Sequence, residues 1–275
     1  MQACLHMLAV LEAHQIVTLP ARRARAIGAN RVETPVWTSE SDPQPPIRVA
    51  LSDLQPIRLE RVADRAGRQL WNAFVARYHY LGHRKPFGAY LRYFLMDRDG
   101  RRLGCLLFET ATHALPCRDA HIGWTVRQRA RYRPRLIQNA RFVIFPWVTV
   151  PNLASCALGV AAWQVQVQVA DDWEQVYHVR PVACETFVET RRFTGACYRA
   201  ANWQRIGETQ PKGKPRKTVY CLPLHPAYKA ILCGQIDRTV TTPPSRAQTR
   251  AQKERGHRRD GQPKRIDGSP GSRRR

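Results

Sequence analysis

The chain of 275 residues carries 45 Lys and Arg against 21 Asp and Glu, a formal net charge of +24. An excess of that size draws polyanions such as DNA, RNA or an acidic membrane surface. No run approaches the ~18 apolar residues of a membrane-crossing helix, and none of the eight cysteines has CxxC or zinc-finger spacing. A membrane span, a disulfide framework and a structural metal are therefore not expected, and the cysteines read as buried free thiols of a cytoplasmic protein.

In chain order, Leu5, Leu8 and Leu11 recur at helical spacing over 3–14. Glu12 and the lack of a basic start argue against a signal peptide. A short apolar stretch at 15–20 and the basic run Arg22, Arg23, Arg25 follow. They read either as the back half of a winged helix-turn-helix or as a helix docked on the main domain. The segment is delimited as 1–37, with a linker at 38–50 rich in Pro and Ser. The compact domain is expected at 51–234. A helix at 67–78 carries Leu70, Trp71, Phe74, Val75 and Tyr78 on one stripe, with Gly82 as a left-handed stop. Runs at 90–95 and 103–108 flank Asp99-Gly100 and predict a hairpin. A strand within 142–148 is expected to lie buried beside another at 182–188. Between them a helix starts after Asn152 and runs to about 170, where Asp171-Asp172 suggests a turn, with Asp172 capping a short helix. A short helix near 198–201 and a strand at 218–222 complete a mixed α/β sheet with flanking helices. The tail, 235–275, holds almost no large apolar side chain and is expected to be disordered. From Ile236 on it has 12 Lys and Arg against 4 Asp and Glu, so +8 of the charge lies there and +16 before it.

Polar residues concentrate at expected strand and helix ends between 139 and 207, where sites form in α/β sheets. Ser155 either acts in a site or caps its helix. Arg141 either faces a site or pairs with Glu185 or Glu189. Glu189 follows an apolar strand and precedes a basic loop. His79, between two tyrosines, is either structural or part of the site.

Several segments together resemble one family. They are Tyr78-His79-Tyr80-Leu81-Gly82, Arg118-Asp119 with Ile122-Gly123-Trp124, and Asn139-Ala140-Arg141-Phe142 with Pro146-Trp147-Val148. Asn152-Leu153-Ala154-Ser155, Glu185-Thr186-Phe187-Val188-Glu189 and Gly195 to Trp203 continue the pattern. In order and spacing they resemble the A-type family of the Druantia antiphage systems over about 54–232. The resemblance implies a defence protein associated with nucleic acid, DNA more than RNA, and with partners such as a helicase. A transposon-associated DNA-binding protein is an alternative, since such relatives also lie beside transposase-like genes. More distantly, the element order resembles a GNAT-type acyltransferase and the GNAT-like phage DNA-modification protein Mom. That resemblance implies a cleft lined by Arg141, Ser155, Glu189 and Tyr198, with His79 in the preceding segment, and a transferase acting on nucleobases as another alternative. The loop before the helix at 153, Val148-Thr149-Val150-Pro151-Asn152, lacks the Gly-rich basic pattern that cradles a pyrophosphate. Acetyl-coenzyme A is therefore unsupported, and the cofactor is left open.

Overall fold

The computed structural model describes residues 35–86, 88–209 and 215–236, with a few positions between 7 and 18. The winged-helix-like reading of 1–37 and the tail expected to be disordered at 235–275 fall almost wholly outside the described residues.

Seven strands form one mixed sheet: β1 (Arg58–Arg61), β2 (Tyr90–Met96), β3 (Arg102–Thr110), β4 (Leu136–Ile144), β5 (Ala183–Glu189), β6 (Gln204–Glu208) and β7 (Lys217–Pro223). The spatial order is β1-β2-β3-β4-β5-β7-β6. Among these described strands, β4 and β5 are the one parallel pair. Helices α1 (Leu51–Leu54), α2 (Arg65–Tyr78), α3 (Pro116–Ile122) and α4 (Val126–Tyr132) precede β4. After it come α5 (Leu153–Gln164) and, through a π-helical stretch at Val165–Val169, α6 (Ala170–Tyr177). The last two are α7 (Ala196–Ala200) and α8 (Tyr228–Leu232).

Local chemistry accounts for the main elements. The α2 helix starts at Asp64, whose carboxylate accepts the Gly67 N–H at 2.8 Å. It buries Leu70, Trp71, Phe74 and Val75. It ends in a turn closed by the Gly82 N–H on the His79 carbonyl at 2.7 Å, with Gly82 at φ +59. The hairpin of β2 and β3 turns on Asp97, whose buried carboxylate accepts from the Asp99 and Arg101 amides and from Arg101 Nε.

Alternation along the strands divides the core between the two faces. Ile137, Cys184 and Tyr220 join Trp71, Phe74 and Phe145 on one side. Leu136, Ala183 and Cys221 join Tyr228, Ile231 and Leu232 on the other.

Three expectations are corrected. The strand read at 142–148 begins six residues earlier, at Leu136, and stops at Ile144. Its contact with β5 runs through Leu136–Asn139 rather than through 142–148. The Arg- and Gln-interrupted stretch before Phe142 hides a strand because one of its faces lines a cavity. Asp171 and Asp172 lie inside a helical run that continues from the π-helical stretch into α6, rather than at a break. Arg180 pairs with Asp171, and Tyr93 donates to Asp172 at 2.8 Å. The cysteines are not all buried: Cys105, Cys184 and Cys221 are, while Cys117, Cys156, Cys197 and Cys233 are half-buried.

In the segment read as a linker, Ser41 is buried and its carbonyl accepts from the Tyr78 hydroxyl at 2.9 Å. Ile47 exchanges backbone bonds with Trp147 and Thr149.

Candidate functional site

The site originates where β4 and β5 part. They pair through Leu136–Asn139 against Ala183–Thr186, and no further. On the other side of β4, Phe108 faces Asn139 and Leu107 faces Arg141, so Ala140 is an extra residue with no partner. Such a bulge bends its strand, and this one lies where the pairing with β5 stops. A cavity of about 730 Å³ fills the gap. Its walls are the far half of β4, the end of β5, the turn after α2, and α7, with Lys217 of β7 at one side.

Asn139 ties the parting point together. Its side-chain amide donates to the carbonyls of Leu107 and Arg141, at 3.3 and 3.1 Å. Its side-chain oxygen accepts from the Tyr198 hydroxyl at 3.1 Å, and its backbone carbonyl from Thr186 at 3.0 Å. Burial raises the Tyr198 phenol well above its ordinary value. Tyr198 therefore stays protonated, with its hydrogen committed to Asn139.

His79 is buried at the cavity wall. Its Nδ1 accepts the Leu81 N–H at 3.1 Å, so the ring proton sits on Nε2. Burial, reinforced by the nearby Arg141 charge, lowers its pKa to about 4. At neutral pH the imidazole is an uncharged N–H donor.

Arg141 does not pair with Glu185 or Glu189, which corrects that reading. Its guanidinium donates to the carbonyls of Ala140 at 2.8 Å and Gly82 at 3.4 Å, which bonds the turn after α2 to β4. Burial lowers its pKa, and Glu109 opposes the shift. The partner of Glu185 is instead the fully buried Arg118, at 3.2 Å. Glu189 lines the cavity and meets Arg192 at 3.4 Å. Its backbone carbonyl accepts from the amides of Arg192 and Phe193 and fixes the turn that brings both to the cavity mouth.

Four of the five expected residues, His79, Arg141, Glu189 and Tyr198, thus line one cavity. Ser155 is not among its lining residues. Its hydroxyl donates to the Asn152 carbonyl at 3.0 Å within the first turn of α5, and Ala154 lines the wall instead. Sequence reading missed Tyr80, Arg84, Glu109, Asn139 and Phe193, which also line it. For Phe193 a signal was present: an aromatic directly after Arg191-Arg192 is the interleaving used by nucleic-acid surfaces.

The loop from β4 to α5 does not fit the pyrophosphate of an acyl-coenzyme A. Pro146 and Pro151 have no N–H to offer. The amides of Phe145, Val148, Thr149 and Leu153 are already bonded, to Leu103, Phe145, Ile47 and Val150. Among the described residues, no group of three or more His, Cys, Asp or Glu is set to hold a metal ion. No helix there is long and apolar enough to cross a membrane.

The family described as Druantia protein DruA matches residues 11–230. No curated protein matches the chain. Among solved structures, a spermidine N-acetyltransferase from Vibrio cholerae in complex with CoA and spermine is 9% identical, with a TM-score of 0.38. That alignment covers 61% of this chain and 95% of the other. The aminoglycoside acetyltransferase AAC(6')-Ib in complex with coenzyme A is 12% identical, with a TM-score of 0.37 and the same coverage, 61% and 95%. FeeM, an N-acyl amino acid synthase from uncultured soil microbes, is 11% identical with a TM-score of 0.36, covering 63% and 98%. These are likenesses in the arrangement of strands and helices, and no ligand or activity passes from them to this chain.

Proposed function

Because the chain belongs to the Druantia protein DruA family, an antiphage family, we propose that it serves this defence in the cytoplasm by binding nucleic acid, with the cavity between β4 and β5 as its recognition pocket. The observation that carries the reading is the convergence of cations on the cavity from separate parts of the chain. Arg84, Arg141 and Lys217 line it. Lys85 and Arg191, both exposed, adjoin it in sequence, and Arg192 stands over Tyr80 at 5.3 Å from the ring centroid. Two carboxylates answer them, Glu109 and Glu189, and Glu189 already meets Arg192. The cations outnumber the carboxylates, and a concave surface with a net positive charge focuses the field on a polyanion.

Recognition is favoured over group transfer by the state of the side chains. The Nδ1 lone pair of His79 is taken by Leu81, and the hydroxyl hydrogen of Tyr198 by Asn139. Neither is poised as a base, and the loop after β4 holds few amides for a coenzyme's phosphates.

The test is fluorescence anisotropy of the full chain on labelled oligonucleotides at several salt concentrations. Binding is expected at low salt, with log K falling by roughly 0.9 per phosphate contact on duplex DNA as log salt rises. Charge reversal at Arg84, Lys85 and Arg192 should weaken binding and flatten that slope. Absence of binding at low salt would overturn the reading.

A further inference from the structure

We propose that Tyr80 and Phe193, two exposed aromatic rings packed against each other at the cavity, form a stacking platform for one unpaired nucleobase, so that the protein recognises single-stranded or everted nucleotides. The platform rests on the nucleic-acid reading above and names the form of strand that the pocket takes.

Large aromatic side chains are mostly covered in folded proteins, yet Tyr80 and Phe193 are 39% and 49% exposed. Both line the cavity. Their ring centroids lie 5.2 Å apart with planes at 60°. They come from different parts of the chain, Tyr80 from the turn after α2 and Phe193 from the turn after β5. Each is held in place. Tyr80 stacks on His79 with centroids 4.9 Å apart, and the Phe193 amide is bonded to the Glu189 carbonyl at 3.0 Å. The planar Arg192 guanidinium lies against Tyr80.

Aromatic faces beside a guanidinium, ringed by cations, are what an unpaired base stacks on, and every base has a π-face to offer. A perfect duplex hides its base faces and presents phosphates and groove edges instead. The cavity volume of about 730 Å³ falls in the range of pockets for small ligands, about 300–1,000 Å³. His79 and Arg141 also line the cavity, and an imidazole N–H and a guanidinium are donors suited to carbonyl and ring-nitrogen acceptors of a base.

The experiment uses the full chain and three labelled probes of one sequence: a single strand, a perfect duplex, and a duplex with one bulged base. Anisotropy is measured for the natural chain, Tyr80→Ala, Phe193→Ala and Tyr80→Phe, with circular dichroism and thermal melting confirming that each folds. The single strand is expected to bind about tenfold or more tighter than the perfect duplex. Each alanine should cost the single strand about tenfold and leave the perfect duplex unchanged. Tyr80→Phe, which keeps the ring, should retain binding. If the bulged duplex follows the single strand, the pocket takes an everted base; if it follows the perfect duplex, the pocket takes single strands. Equal affinity for all probes, unmoved by either alanine, would overturn the platform and leave the nucleic-acid reading standing. No binding to any probe would overturn both.

Discussion

The backbone N–H of Leu81 donates to Nδ1 of His79 at 3.1 Å, and this contact fixes which hydrogen the imidazole presents to the cavity. The charged groups around the ring are mostly cationic, with Arg84, Arg141 and Lys217 lining the same space as Glu109, Glu189 and Tyr80. The His79 pKa is lowered from 6.5 to about 4. Between those values the unfolded chain binds the extra proton and the folded chain does not. The resulting stability is full above pH 6.5 and is lost as pH falls towards 4, by up to about 3 kcal/mol. Urea denaturation at pH 7 and pH 4.5 should show this loss in the natural chain and a smaller one in His79→Gln. Nitrogen-15 NMR should find the proton on Nε2.

Tyr198→Phe keeps the ring but leaves the Asn139 side-chain oxygen buried without its donor. The expected cost is about 1–3 kcal/mol, read from the denaturation midpoint. If Tyr198 positions Asn139 rather than touching a ligand, the pH profile of nucleic-acid binding should not change.

Arg118 and Glu185 form a buried pair at 3.2 Å. Arg118 also donates to Asp119 at 2.9 Å and to the Thr112 carbonyl at 2.8 Å. Burial pushes the Glu185 carboxyl up to about 7, with Arg118 opposing the shift. Glu185→Ala removes one of the two carboxylates on the guanidinium, with Asp119 remaining, and should cost about 1–3 kcal/mol. Thermal melting should show the loss, with Glu185→Gln milder because it keeps an acceptor.

Deleting residues 236–275 lowers the net charge from +24 to +16. Binding of nucleic acid should weaken, its salt slope should flatten by several units, and any sequence preference should stay the same. An unchanged slope on titration of the two chains side by side would make the tail a spectator.

The middle of the fold was legible where one face of an element is uniformly apolar. The α2 helix and the hairpin of β2 and β3 show this, with Asp99-Gly100 marking the turn. The edge strands β1 and β6 were not, because Arg-Leu-Glu-Arg and Gln-Arg-Ile-Gly-Glu carry few apolar residues to set a period. The start of β4 was missed because Gln138 and Arg141 face the cavity rather than the core. His79, Arg141, Glu189 and Tyr198, named because they border strand and helix ends or stand in family motifs, line one cavity. Ser155 misled because a serine in the first turn of a helix has a local use, here a bond to Asn152. Tyr80 and Phe193 meet only through the fold, 113 positions apart along the chain.

The early parting of β4 from β5 has one more effect. Past Asn139, the edge of β4 turned away from β3 has no neighbouring strand among the described residues. Ala140 to Ile144 line the cavity there, and any residue other than proline in their places would keep the same backbone N–H and carbonyl groups. On the proposed reading, substitutions at the rim would alter which bases are admitted while the polar seam behind them persists.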